Sequence, residues 1–300
     1  MILFFGYADD PAFTRAVQAS YEFGVDALVV DQRDLSGVEL LVADAVSSDG
    51  FFDLGGARTP LSDIGAVYAR PLAAVESADA RAYARGKVMA EQVVEWLDVA
   101  PARVVNRPTD MTSNASKPYQ AQLIARCGFT VPATLVTNDP EQVREFVAEH
   151  EQVVFKSTSG IRSIVGLLDG RRLADLERVR VLPTQFQAWV DGTDVRVHVV
   201  GGEVFATEIT STATDYRYAA RDGRQCELRA ITLPDELAER CVRLARELRL
   251  PLAGVDLRRT PDGDVVCFEV NPMPGYSFYE SHTGQPISTA LARFLAGKAE

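Results

Sequence analysis

The chain has 300 residues, 47% of them hydrophobic, and 42 acidic against 31 basic side chains give a formal net charge of -11. That length and apolar content suffice for a large core spread over two or three lobes. The negative balance argues against a protein held to nucleic acid by phosphate attraction, while leaving room for a local basic pocket.

The chain opens on "MILFFGYADD", an apolar run with no basic flank that stops at two aspartates, so it predicts a first strand rather than a signal peptide. No stretch is apolar for long enough to span a bilayer, and a cytoplasmic protein without a membrane partner is expected. "ILFFGY" and "ALVVDQ" bracket "PAFTRAVQASYEFG", whose helical periodicity ends at a glycine. "VELLVADAV" and "FFDLGG" read as hairpin partners, "IGAVYARP" as a strand, and residues 76–100 as a long amphipathic helix. A β-α-β start of this kind predicts a small parallel sheet with right-handed crossovers. No GxGxxG follows the first strand, so a dinucleotide fingerprint is missing.

Beyond "RVVNRP" the pattern changes. Residues 111–129 read as one helix, "ATLVTN" as a strand, and "DPEQVREFVAEH" as a helix capped by Asp139 with Pro140 at its first position. Strands then dominate: "VVFKST", "SIVGLL", "TQFQAWV", "DVRVHVV" and "EVFATEIT", the last two joined at Gly201-Gly202. The stretch from Ser211 to Glu227 has no periodicity and reads as a long polar loop. An amphipathic helix over 233–250, a hairpin, and a terminal helix from about Pro286 complete the chain. The four cysteines (127, 226, 241, 267) lack CxxC spacing and read as reduced thiols; with three histidines (150, 198, 282), a zinc site is not expected.

The hairpin "GVDLRRTPDGDVVCFEVNPMPG" carries the strongest chemical signal. Asp262-Gly263 between apolar runs predicts a tight turn. A loop of two or four residues sets Asp256 opposite Glu269, whereas an odd-length loop breaks that register. Glu269 and Asn271 point the same way by strand alternation, and cross-strand neighbours lie about 5 Å apart at Cβ. Two carboxylates so close repel unless a positive charge sits between them. Hard oxygen donors without His or Cys suit Mg²⁺ rather than Zn²⁺. The competing reading is a solvated acidic hairpin in which Asn271 merely starts an Asn-Pro turn.

Two further stretches point toward phosphate chemistry. Lys156 leaves its strand into "STSGIRS", where backbone N–H groups and one point charge would suit polyphosphate; an ordinary turn is the alternative. "GTDVRVHVV" sets Asp194, Arg196 and His198 on one face and three valines on the other. Arg196 there would steady a transferring phosphate, or else form an exposed pair with Asp194 of little energetic consequence.

Taken together, Lys117 on a helix, Lys156, "QAWVDGTDVRV" and "GVDL…FEVNP" come in an order and spacing that resemble an ATP-grasp enzyme of the RimK-like group. The likeness covers about residues 100–298. "NRPTDMTSNASKPYQ", "DYRY" and "EVNPMPGY" are most similar to the graspetide (microviridin-type) ligases that modify ribosomal peptides.

The resemblance implies an α/β (α+β) protein: an N-terminal β-α-β pre-ATP-grasp domain over 1–100 and an ATP-grasp domain over 101–300. The latter would divide into a small lobe (about 101–190) and a large lobe (about 191–300) that grasp ATP between antiparallel sheets. Lys117 and Lys156 would contact the α- and β-phosphates. The backbone of Ala188, Trp189 and Val190, with Gln187 beside it, would read the adenine edge, and Asp194 would hold the ribose. Asp256, Glu269 and Asn271 would bind two Mg²⁺ ions, while Arg196 and Arg217 would face the γ-phosphate and an acyl phosphate. Two departures from the group stand out: "STSGIRS" is poor in glycine, and position 188 is Ala where many relatives have Glu.

The implied reaction is ATP-dependent ligation of a carboxylate to an amine or hydroxyl through an acyl phosphate, releasing ADP and phosphate, with a precursor peptide as one candidate substrate. A homodimer is one admissible assembly. Arg70 and the tyrosines at 216, 218, 276 and 279 are candidates for an acceptor pocket, with packing the competing role for the tyrosines. Other functional classes are a ligase for a small-molecule amino acid, a kinase of the same fold, and a nucleotide-binding regulator without turnover. The regulator would be marked by a missing metal ligand, and all three are present here.

Overall fold

The computed structural model describes residues 1–35, 37–44, 49–72, 79–157, 165–211 and 226–298. Every residue of β1 (Ile2–Gly6) is buried, the mark of a central strand covered on both faces. It pairs in parallel with β2 (Ala27–Asp31) on one side and β6 (Ala66–Arg70) on the other. Between β1 and β2 runs α1 (Pro11–Glu22). Asp10 caps it by accepting the Phe13 N–H at 2.9 Å, and Pro11 occupies its first turn.

Strands β3 (Val38–Asp44), β4 (Asp49–Leu54) and β5 (Ala57–Pro60) make a separate antiparallel sheet. The third strand was not foreseen; Gly55 and Gly56, both at positive φ, turn the chain back on itself. After α2 (Ala80–Val99), β7 (Arg103–Val105) returns to pair with β6, so the N-terminal sheet extends just past residue 100.

The single helix expected over 111–129 is interrupted. A short α3 (Pro108–Met111) and a 3-10 turn at Thr112–Ala115 precede α4 (Lys117–Arg126). The break falls at Ser116, and Pro118 sits in the first turn of α4, where its missing N–H has no intrahelical partner to lose. Ser116 has extended dihedrals (φ -124, ψ 96), as a residue preceding the first helical position does. Then come β8 (Thr134–Thr137), α5 (Pro140–Glu149) with its Asp139 cap, β9 (Val153–Ser157), β10 (Gly166–Leu167), a short α6 (Gly170–Ala174) and β11 (Thr184–Ala188). The four strands form an antiparallel sheet in the order β10-β9-β11-β8.

The largest sheet has the order β14-β13-β12-β15-β16. It contains β12 (Thr193–Val200), β13 (Glu203–Ser211), β14 (Cys226–Ile231), β15 (Leu252–Arg259) and β16 (Val265–Asn271). Helix α7 (Asp235–Glu247) precedes β15; α8 (Ser277–Thr283) and α9 (Ile287–Leu295) follow β16. Ser211 closes β13 and Cys226 opens β14, so both described ends of the expected long loop are strand. The rest of that loop, including Tyr216, Arg217 and Tyr218, lies outside the described residues, as does most of "STSGIRS".

Alternation on β12 works as the pattern predicts: Val195, Val197 and Val199 enter a core with α4 and α7, leaving the opposite face to polar residues. A second core joins the two halves of the chain. It unites Phe4, Phe13 and Tyr68 of the N-terminal sheet and α1 with Phe205, Tyr276, Tyr279 and Leu291. Tyr276, a candidate pocket residue, is corrected here to a core residue. It is 0% exposed, and its hydroxyl donates to the Ala12 carbonyl at 2.5 Å.

Arg70 is corrected too. It ends β6, is 5% exposed, and donates to both carboxylate oxygens of Asp10 (3.0 and 3.2 Å) and to the Pro274 carbonyl (3.0 Å). Its fork is spent clamping the cap of α1 to the segment after β16, which leaves an acceptor pocket without it. Arg70→Met should therefore destabilise the fold by about 3 kcal/mol, because it leaves the Asp10 charge without its buried partner. Urea unfolding checks this, and a loss below about 1 kcal/mol would show the clamp to be dispensable.

All four cysteines are free thiols, and burial pushes Cys241 up to about 12. No helix among the described residues is long and apolar enough to cross a membrane.

Candidate functional site

The polar face of the large sheet gathers the predicted charges. Asp256 on β15 lies opposite Glu269 on β16, and Arg196 on β12 lies opposite Asp256. The route to the first pairing differs from the expected one. The hairpin loop is odd: Arg259 pairs with Val265, Thr260 N–H donates to Asp264 O, and Gly263 takes φ +92 in a three-residue turn. A one-residue shift between Asp256 and Leu257 then restores the register, because Leu257 pairs with Cys267 and Phe268 is the extra residue. The bulge sends Cys267 into the core and places the Phe268 ring 5.1 Å from the Arg258 guanidinium.

Each carboxylate meets a cation. Lys117 Nζ donates to Glu269 Oε2 at 2.8 Å, and Arg196 NH1 donates to Asp256 Oδ1 at 2.5 Å. The repulsion expected between two facing carboxylates is thereby offset. Lys117 reaches Glu269 because α4 is docked on the edge of β16 by Gln120, one turn further on. The buried Gln120 side chain donates to Val270 O at 2.8 Å and accepts from Val270 N–H at 3.0 Å, as another strand would. Asn106 plays a similar part at the same open end of the hairpin, bonding the carbonyl and N–H of Leu252 and reaching Pro272 O. Asn271 Oδ1 accepts the Met273 N–H at 2.8 Å, so the Asn-Pro turn and a place on the Glu269 face coexist in one residue.

The nucleotide candidates are distributed as follows. Lys156 is buried on β9, in register with Gln185. Gln187 donates to Thr134 Oγ1 at 3.0 Å. The N–H groups of Ala188 and Trp189 are taken by the Ala133 and Gln152 carbonyls, at 3.0 and 2.8 Å. Among the described residues no backbone group takes the Val190 N–H, which lies just past the end of β11. Asp194 is bound by Arg258 at 2.8 Å, and the same guanidinium donates to Val190 O at 2.7 Å while sitting 5.1 Å from the Trp189 ring. Arg258 thus ties the end of the β11 segment to the large sheet. Its place two residues after Asp256, on the same face by alternation, was the signal that could have singled it out.

Arg196 is 6% exposed and is held on several sides. Its Nε lies 3.5 Å from His198 Nε2, and its guanidinium carbon lies 5.7 Å from the Tyr279 ring centroid. Gly254 leaves it room, since a Cβ there would stand 2.2 Å from Arg196 NH2. Gly254→Ala should consequently displace the guanidinium and destabilise the fold by about 1–3 kcal/mol. Urea unfolding checks this; unchanged stability would show that the guanidinium has other room. Burial, with the Arg196 charge second, holds the His198 pKa well below the ordinary histidine value, so the ring is neutral.

Among the described residues no group of three or more His, Cys, Asp or Glu is arranged to hold a metal. The hairpin offers two carboxylates and an amide instead. That hard, all-oxygen set fits Mg²⁺ in its chemistry, with further oxygen ligands needed from outside the protein.

Residues 114–295 match the RimK-like ATP-grasp domain. A probable alpha-L-glutamate ligase of Alcanivorax borkumensis is 29% identical over 214 residues, 68% of this chain and 70% of that protein. The ATP-grasp ligase PsnB, solved with a phosphomimetic variant of its minimal precursor, Mg and ADP, superposes with a TM-score of 0.83 at 26% identity. That match covers 100% of this chain and 98% of PsnB. A RiPP-associated ATP-grasp ligase of Chryseobacterium gregarium, solved with ADP and a leader and core peptide, shares the fold at TM-score 0.86 and 21% identity, covering 100% and 97%.

Proposed function

Since the chain belongs to the RimK-like ATP-grasp family and is an ATP-dependent ligase that uses ATP and Mg²⁺, we propose that its substrate is a ribosomally made precursor peptide. A side-chain carboxylate of that peptide would be joined to an amine or hydroxyl. The observation that carries this reading is the likeness to PsnB, at TM-score 0.83 and 26% identity over the whole chain, N-terminal sheet included. Residues 1–100 would then serve the peptide, and 101–190 and 191–300 would be the lobes on either side of ATP.

The reaction runs in two displacements. A carboxylate oxygen attacks the γ-phosphorus of ATP and ADP leaves; the acceptor then attacks the acyl carbon, loses its proton, and phosphate leaves. Positioning and charge neutralisation supply most of the acceleration, since phosphoryl transfer asks little proton chemistry of the protein. Asp256, Glu269 and Asn271 would hold Mg²⁺, two ions in this reading, whose contribution is to offset phosphate charge. Arg196 would face the transferring phosphoryl group, and Arg217 the acyl phosphate. Lys117 and Lys156 would contact the α- and β-phosphates. The backbone of Ala188, Trp189 and Val190 would meet the adenine edge beside Gln187, with Asp194 toward the ribose. Tyr216 is kept as an acceptor-side residue.

Mass spectrometry of candidate precursor peptides incubated with enzyme, ATP and Mg²⁺ tests the proposal. Loss of one water per bond formed supports it. Glutamyl addition to a free acceptor, with every peptide unchanged, would reassign the protein to small amino-acid ligation. Lys156→Ala should weaken ATP binding about tenfold, because a point charge at the phosphates is lost. Calorimetry with unchanged affinity would return Lys156 to an ordinary strand role.

A further inference from the structure

His198 is the one imidazole on the polar face of β12, two residues along from Arg196 on the same side. It is 0% exposed. Buried positions of this kind are ordinarily apolar, because an imidazole brings two polar nitrogens that must each find a partner. Among the described residues Nδ1 has none, which leaves Nε2 to account for the residue.

Nε2 lies 3.5 Å from Arg196 Nε, at the long end for a hydrogen bond. Guanidinium nitrogens can only donate, so Nε2 accepts and the ring proton resides on Nδ1. The guanidinium also leans along the sheet toward His198. Its NH2 stands 2.2 Å from where a Cβ on Gly254 would be, and Gly254 is the register partner of His198 on β15. The Tyr279 ring packs at 4.8 Å from the imidazole and 5.7 Å from the guanidinium carbon, bracketing both. The Arg196 fork is therefore held from Asp256 at one end and from His198 at the other.

We infer that His198 is a positioning residue: its buried, neutral imidazole accepts from Arg196 Nε and fixes the orientation of the guanidinium toward the transferring phosphoryl group. The inference rests on the reading of Arg196 given above. A protonated ring in this place would press a second cation and a second donor against the guanidinium, so the low pKa of His198 is what the role requires. Because Arg196 would act on the phosphoryl group in the transition state, loosening it should register in kcat more than in nucleotide affinity.

The test uses ADP release from Mg²⁺-ATP by the full chain. His198→Leu removes the acceptor with little change in volume and should lower kcat about tenfold or more, with KM for ATP within about threefold. His198→Gln restores an acceptor oxygen and should recover most of that loss. If His198→Leu keeps kcat within about twofold while Arg196→Ala collapses, the reading of Arg196 stands and the inference about His198 is overturned. If His198→Gln is as impaired as His198→Leu, the residue is packing and nothing more. Full activity of Arg196→Ala would instead remove the premise for both. Imidazole nitrogen NMR of the unmutated protein needs no variant that folds: the Nδ1–H tautomer is expected, and an Nε2–H tautomer would end the proposal.

Discussion

Glu269→Gln should abolish ATP-dependent turnover, by about a thousandfold or more, while the protein remains folded. The substitution preserves shape and an acceptor oxygen for Lys117, whose ammonium lies 2.8 Å from the carboxylate. It removes one of the two negative charges that the hairpin brings face to face. A divalent cation beside ATP phosphates needs that charge, because a neutral amide binds a hard cation more weakly than a carboxylate does. Lys117 would lose its ionic partner at a site with 10% and 20% side-chain exposure, so a modest fall in stability accompanies the change. ADP release measured against Mg²⁺ concentration decides the matter. Near-normal turnover at limiting Mg²⁺ would remove Glu269 from the metal site, and a lost near-ultraviolet signal would mark the loss as unfolding.

Arg196→Ala should lower kcat by about 100- to 1000-fold, with ATP affinity changed only a few-fold, the pattern of a group aimed at charge that develops in the transition state. The geometry favours a large effect because the guanidinium is nearly buried and already oriented, so no reorganisation is needed when the phosphoryl group moves. Arg196→Lys should rescue little. It keeps the charge but loses the planar fork that reaches Asp256 and His198 together. A loss confined to ATP binding, with kcat intact, would make Arg196 a ground-state contact only. Folding should survive, because Asp256 retains 21% side-chain exposure and can be solvated once its partner is gone.

The sequence by itself determined many of the local elements, though not β5 or the break before α4, and the membership of the polar face of β12. Period-2 alternation put Asp194, Arg196 and His198 opposite three core valines; Asp139-Pro140 started a helix; Gly201-Gly202 closed a hairpin. These are short-range matters of backbone sterics and of which side chains water excludes. Asp256 was rightly set against Glu269, but through a loop of the wrong parity, and only the bulge at Phe268 repaired the count. A bulge is invisible to alternation because it costs one unpaired residue and is stabilised by what that residue meets, here the Arg258 guanidinium across the hairpin. Tertiary structure likewise decided which polar candidates were consumed internally. Arg70 went to Asp10 and Pro274, and Tyr276 to Ala12, across more than 200 residues of chain in the latter two contacts. Gln120 became the edge partner of β16 and brought Lys117 to Glu269 across a separation of 152 residues. No residue type or spacing announces such partners, because a buried donor or carboxylate is satisfied by whichever group packing delivers within about 3 Å of it.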